Sequence, residues 1–106
     1  MKRYLLPPTG QDYKANLHCH SNISDGDISP AEIKEVYLDK GYSVVAYTDH
    51  DVLLDHSDLC DERFLALNGF EIEVNEAGKP SFDFTKCFHI CMIAKEQDNL
   101  DRKSVV

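Results

Sequence analysis

The chain has 106 residues, of which 42% are apolar and 28% charged, the balance of one small globular domain rather than of a disordered tail. Nineteen acidic residues against eleven basic ones leave a formal charge of −8, which excludes a protein that coats nucleic acid by displacing counterions. Work on phosphate esters stays open, because a bound cation reverses the local sign.

At the N-terminus, Met1-Lys2-Arg3 is basic, but Tyr4-Leu5-Leu6 gives way at once to Pro7-Pro8. That apolar run is too short for a signal peptide. No stretch approaches the ~18 apolar residues of a membrane span. The cysteines, Cys19, Cys60, Cys87 and Cys91, form no C-x-x-C pair, and without a secretory signal they read as reduced thiols. The expectation is a cytoplasmic protein without membrane association.

Tyr13 to His20 alternates with period two and predicts a strand with Ala15, Leu17 and Cys19 on one face. Asn16, His18 and His20 take the other. Ser21 to Gly26 is loop. Ser29-Pro30-Ala31-Glu32 is a helix start, with Ser29 as N-cap, Pro30 in the first helical position and Glu32 closing a capping box. Ile33, Val36, Tyr37 and Lys40 make one stripe of that helix, and Gly41 ends it. Ser43 to Thr48 is β-branched and aromatic on both faces, the pattern of a buried parallel strand. The first fifty residues therefore predict a βαβ unit.

Asp51 to Arg63 reads as loop with one helical turn. Phe64 to Val74 is a third strand, with Gly69 as a bulge or a point of close approach. Residues 75–80 form a turn. A fourth strand lies within Phe82 to Ala94, best defined over Cys87 to Ile93, and Lys95 to Val106 is a polar end.

His18-x-His20 is the sharpest local signal, since period-two spacing sets two imidazoles on one strand face within reach of one cation. Asp25-Gly26 alone is ordinary turn chemistry. Thr48-Asp49-His50-Asp51 follows the second strand, at the carboxyl end where α/β folds place ligand sites. Parallel pairing would bring it to the same rim as His18 and His20. His50 reads as a ligand, and Asp49 as an N-cap or as a hydrogen bond orienting a histidine. Glu71 sits close enough to Gly69 to fall at the buried end of its strand, while Glu73 is equally a solvated side chain. His89 is either a ligand or a satisfied core histidine. A Cys87/His89/Cys91 zinc site converges poorly, because alternate side chains on a strand stand ~7 Å apart. His56, in an acidic loop, reads as solvated.

Leu17 to Gly26, then Tyr47 to Asp51, then Gly69-Phe70-Glu71-Ile72, then Phe88-His89-Ile90, resembles the PHP (polymerase and histidinol phosphatase) family. The four motifs fall in that family's order over residues 13–94. The resemblance implies an α/β fold, a distorted (β/α)7 barrel holding two or three metal ions at the carboxyl ends of its strands and hydrolysing phosphate esters. It implies that His18 and His20 bind a first metal and that Glu71 bridges it to a second, which His89 also holds. Asp25 and His50 would bind the third. Family members are about twice as long, and no closing Asp-x-His follows His89. Residues 1–106 thus read as a single truncated PHP domain, about half a barrel, or as a half that closes against another copy.

The function expected is that of a metal-dependent phosphoesterase acting on a small phosphate ester, or of its metal-binding half. The other reading is a metal-binding fragment without catalysis. Mixed imidazole and carboxylate ligation suits zinc, manganese or iron. Glu71 is the expected catalytic centre, with Asp49 or Asp51 as contributors to proton transfer. Open sheet edges predict self-association.

Overall fold

The structure, a computed structural model, describes residue 6 and residues 9–75 and 87–97. The predicted turn from residue 76 onward, the start of the fourth strand before Cys87 and the polar end beyond Gln97 lie outside the described residues.

Four strands form one mixed sheet in the order β1-β2-β3-β4. They are β1 (Ala15–Cys19), β2 (Val44–Tyr47), β3 (Leu65–Asn75) and β4 (Cys87–Ile93), and a helix α1 (Pro30–Asp39) joins the first two. β1 and β2 pair in parallel, as do β2 and β3, while β4 runs antiparallel to β3. The βαβ unit is as the sequence predicts, and the chain is α/β.

Both caps of α1 follow from its sequence. The Ser29 side chain accepts from the Glu32 backbone N–H, and the Glu32 carboxylate accepts from the Ser29 backbone N–H. At the other end Gly41 takes φ +84°, a left-handed conformation that suits glycine. The helix buries a narrower stripe than predicted. Ile33 is buried and Tyr37 and Leu38 pack on the core, but Val36 is 48% exposed and Lys40 is exposed as well. The core cluster is Ile33, Val45, Tyr47, Phe64 and Ala66, with Cys19 and Leu59 at its margin. Tyr47 anchors it by donating its hydroxyl to the Pro30 carbonyl at 2.8 Å, and burial pushes that phenol above its ordinary range.

Strict alternation fails in β1. Its register shifts between Asn16 and Cys19, so β1 carries one residue more than the facing stretch of β2. Asn16 consequently turns to the helix, where its amide donates to the Tyr37 hydroxyl at 2.7 Å, and its own Oδ1 accepts from the His18 backbone N–H. Asn16 does not share the face of His18 and His20. The predicted apolar face also thins out: Cys19 packs on the core, whereas Leu17 is 53% exposed.

β3 changes partner halfway along. Leu65 to Asn68 pair with β2, and Gly69 to Asn75 pair with β4 in unbroken register. Gly69 is therefore a close approach and not a bulge. A Cβ there would stand 2.5 Å from the Met92 carbonyl oxygen and 3.2 Å from the Thr48 methyl. The handover frees the β2 side of Glu71, and His50 takes that place in an isolated parallel bridge. The backbone bonds are Glu71 N–H to the Asp49 carbonyl and Asp51 N–H to the Glu71 carbonyl. The predicted helical turn of the 51–63 loop is a 3-10 turn at Ser57–Leu59. Among the described residues no helix is long and apolar enough to cross a membrane.

Candidate metal centre

The end of β1, the segment after β2 and the middle of β3 and β4 all meet at Glu71. Its side chain is only 2% exposed. Oε2 lies 2.7 Å from His20 Nε2, 3.4 Å from His18 Nε2 and 3.6 Å from His50 Nδ1. Oε1 lies 3.0 Å from His89 Nδ1. Asp25 closes the group from the loop, with Oδ1 at 2.7 Å from His20 Nδ1 and Oδ2 at 3.1 Å from His50 Nε2. All six residues expected as ligands thus come together. They come from the end of β1, the loop after it, the segment after β2, and β3 and β4, so only the fold could have joined them.

Local structure explains each placement. The β1 bulge does not separate His18 from His20, whose Nε2 atoms are 2.9 Å apart. Asp51, with φ +61°, is the positive-φ residue other than glycine among the described residues, and this left-handed turn directly follows His50. Gly26 lets the loop fold back onto β1, since a Cβ there would fall 2.2 Å from the His20 carbonyl oxygen. The Gly26 N–H donates to the Ser21 carbonyl, which holds Asp25 over the histidines.

Asp49 lies beneath the centre, not in it. It is 3% exposed, and its Oδ1 accepts from the Ser21 N–H and the Ser24 hydroxyl, both at 2.7 Å. Its Oδ2 accepts from the Ser21 hydroxyl at 2.8 Å. Asp49 therefore orients the loop that carries Asp25 rather than a histidine directly. Asp51 is exposed and touches the centre through its backbone.

Charge in the centre is arranged for cations. Burial alone would raise the Glu71 pKa, but the imidazoles of His18, His20 and His50 outweigh it and hold the carboxyl below its ordinary range. Asp25 is lowered as well, first by its hydrogen bond with His20. A neutral imidazole donates through one nitrogen and accepts through the other; His20 Nδ1 donates to the Asp25 carboxylate, so a neutral His20 turns the lone pair of its Nε2 to His18 Nε2 and to Glu71 Oε2. A cation between them would use both lone pairs and the carboxylate together. The donor set thus fits a divalent ion. His20, His50 and Glu71 form one group able to hold it, and His18, Glu71 and Cys91 form a second.

Cys91 is the residue that spacing along one strand does not single out as a partner of His18. It stands opposite Glu71 in the β3–β4 register, so the cross-strand pairing is the missing signal. Burial first, and then the Glu71 charge, push its thiol up. Glu73 and Cys87 form a pair of their own, with the Cys87 thiol donating to Glu73 Oε1 at 3.0 Å. That bond raises the Cys87 pKa.

His56 is not solvated. It is 7% exposed, stacks on Tyr47 with ring centroids 4.5 Å apart, and lines a cavity of about 420 Å³ with Ile23, Pro30, Leu54 and Asp55. Its backbone N–H bonds the Asn68 side chain, which draws this part of the loop inward. Burial lowers the His56 pKa below 6.5. The neutral ring's contribution to stability is then complete above about pH 6.5 and declines as pH falls through the depressed native value. The difference in unfolding free energy between the parent and His56→Phe, measured by urea denaturation from pH 8 to pH 5, is expected to move against the parent over that window. A pH-independent difference would contradict the burial argument.

No family model matches the chain. Over 70 residues, 62% of this chain, it is 34% identical to a 5'-3' exoribonuclease of Haemophilus influenzae. The matched stretch spans 26% of that protein's length.

Proposed function

We propose that this chain is the metal-binding part of a PHP-type, metal-dependent phosphoesterase, with the sheet as part of the family's barrel. The observation that carries the reading is the convergence of four imidazoles on one buried carboxylate, with Asp25 as a sixth member. His18, His20, Asp25, His50, Glu71 and His89 would hold the ions, drawn from zinc, manganese or iron. Divalent cations bound there would neutralise an anionic ester and acidify an attacking water. Glu71 would fix the spacing of the ions. Asp25 orients His20 and His50, and Asp49 keeps Asp25 in place through Ser21 and Ser24.

The name of the Haemophilus influenzae relative supports a phosphodiester as the substrate class. With a charge of −8, the chain would take an RNA end through its cations and not through a basic surface. Association through the β1 and β4 edges, which no strand covers among the described residues, belongs to the same reading.

The test is hydrolysis of an aryl phosphate and of a short 5'-phosphorylated oligoribonucleotide by the manganese-loaded chain. Activity abolished by a chelator is expected. A second reading, metal binding without turnover, is favoured by the openness of one side of the centre, where the His18 and His89 side chains are 54% and 49% exposed. Full metal loading with neither substrate cleaved would establish that second reading and overturn catalysis.

A further inference from the structure

We propose that Glu73, Cys87 and His89 form a second metal site, on the outer side of His89, for a thiophilic divalent cation of the zinc class. Three side chains in a row on one strand diverge, but cross-strand neighbours stand roughly 5 Å apart. Glu73 faces His89 in the β3–β4 ladder, and Asn75 faces Cys87. One ligand atom from each of Glu73, Cys87 and His89 lies within 4.8 Å of the others. The His89 ring stands between two carboxylates, with Nδ1 at 3.0 Å from Glu71 Oε1 and Nε2 at 3.9 Å from Glu73 Oε1. Its outward nitrogen is therefore turned to the Cys87–Glu73 pair and away from the centre.

A separate observation points the same way. Asn75 Oδ1 is buried and has no hydrogen-bond partner among the described residues, a situation that native structures seldom leave uncompensated. Two residues along β3 from Glu73 and opposite Cys87, Asn75 sits on the same sheet face. A carbonyl oxygen there offers a fourth donor. Thiolate, imidazole and carboxylate together select zinc-like ions, whereas calcium and magnesium select oxygen alone. On binding, the Cys87 S–H bond breaks, a sulfur–metal bond forms and the proton passes to solvent. This site does not depend on the phosphoesterase reading.

The test is a cadmium titration of the full chain followed by the ultraviolet sulfur-to-metal charge-transfer band. A saturable band is expected in the parent; in Cys91→Ser, where the group of His18, Glu71 and Cys91 contributes no sulfur, it persists and is lost when Cys87→Ser is added, and Cys60→Ser leaves it unchanged. Glu73→Gln is expected to shift the titration at least tenfold to higher cadmium. It keeps the test decisive should Cys87→Ser fold poorly. No band in the parent, a band of Cys91→Ser undiminished when Cys87→Ser is added, a titration unmoved in Glu73→Gln, or a band already lost in Cys91→Ser would overturn the proposal.

Discussion

Glu71→Gln is expected to lower manganese affinity by at least ~100-fold, because even partners that only orient a ligand are worth 10–100-fold. The carboxylate is the one group that touches all four imidazoles of the centre, through both of its oxygens. An amide keeps the shape but loses the charge and one of the two acceptors. Manganese is the ion of choice here, since a thiolate-containing set does not select it. At a concentration of 100 times its Kd, a ligand of the native state adds about 2.7 kcal/mol to stability. For a domain of this size that is a rise in Tm on the order of 10–20 °C. Thermal denaturation with and without manganese should show such a rise in the parent and at most about 3 °C in Glu71→Gln, which at that concentration sits near its own Kd. Equal rises in both would remove Glu71 from the centre.

The second large effect falls on a residue that touches none of those imidazoles. Asp49→Ala leaves the Ser21 N–H and two serine hydroxyls without their acceptor, and Ser21 itself is fully buried. Hydrogen bonds to a charged group are worth about 1.5–3 kcal/mol each, and a buried donor left unpaired adds its own penalty. A loss of about 3 kcal/mol or more in urea denaturation is expected. Asp49→Asn should fall between, since its single oxygen can replace only part of the set. Freed from Asp49, the loop no longer holds Asp25 against His20 and His50, so manganese affinity should also weaken, by 10–100-fold. A change under about 0.5 kcal/mol, the range of an ordinary surface substitution, would show that Asp49 does not hold the loop.

Much of this was legible in the sequence because it is local. The capping box of α1 needs only Ser29 and Glu32, and its stop needs only Gly41. Parallel pairing of β1 and β2 follows from the short helical connection, and it sets His18, His20 and His50 on one rim. Gly69 marked either a bulge or a close approach, and a pattern of single residues could tell neither which of the two it was nor that β4 would be the neighbour.

What stayed hidden depends on register. The extra residue in β1 turns Asn16 to the helix, and no periodicity announces it. Cys91 and the Glu73–Cys87 pair become neighbours only when β3 and β4 align antiparallel. His56 lies among acidic residues that mark a solvated loop, yet Tyr47 and Asn68 draw it inside. Tertiary packing there overrides local polarity. Asp49 illustrates a middle case: its burial follows from its place after β2, but its partners, Ser21 and Ser24, lie a helix away in the chain.

Anomalous scattering from a manganese-soaked crystal of the chain tests the central idea most directly. One or more peaks enclosed by His18, His20, His50, His89, Asp25 and Glu71 are expected. Imidazoles turned away from Glu71, with no anomalous peak among them at saturating manganese, would contradict it.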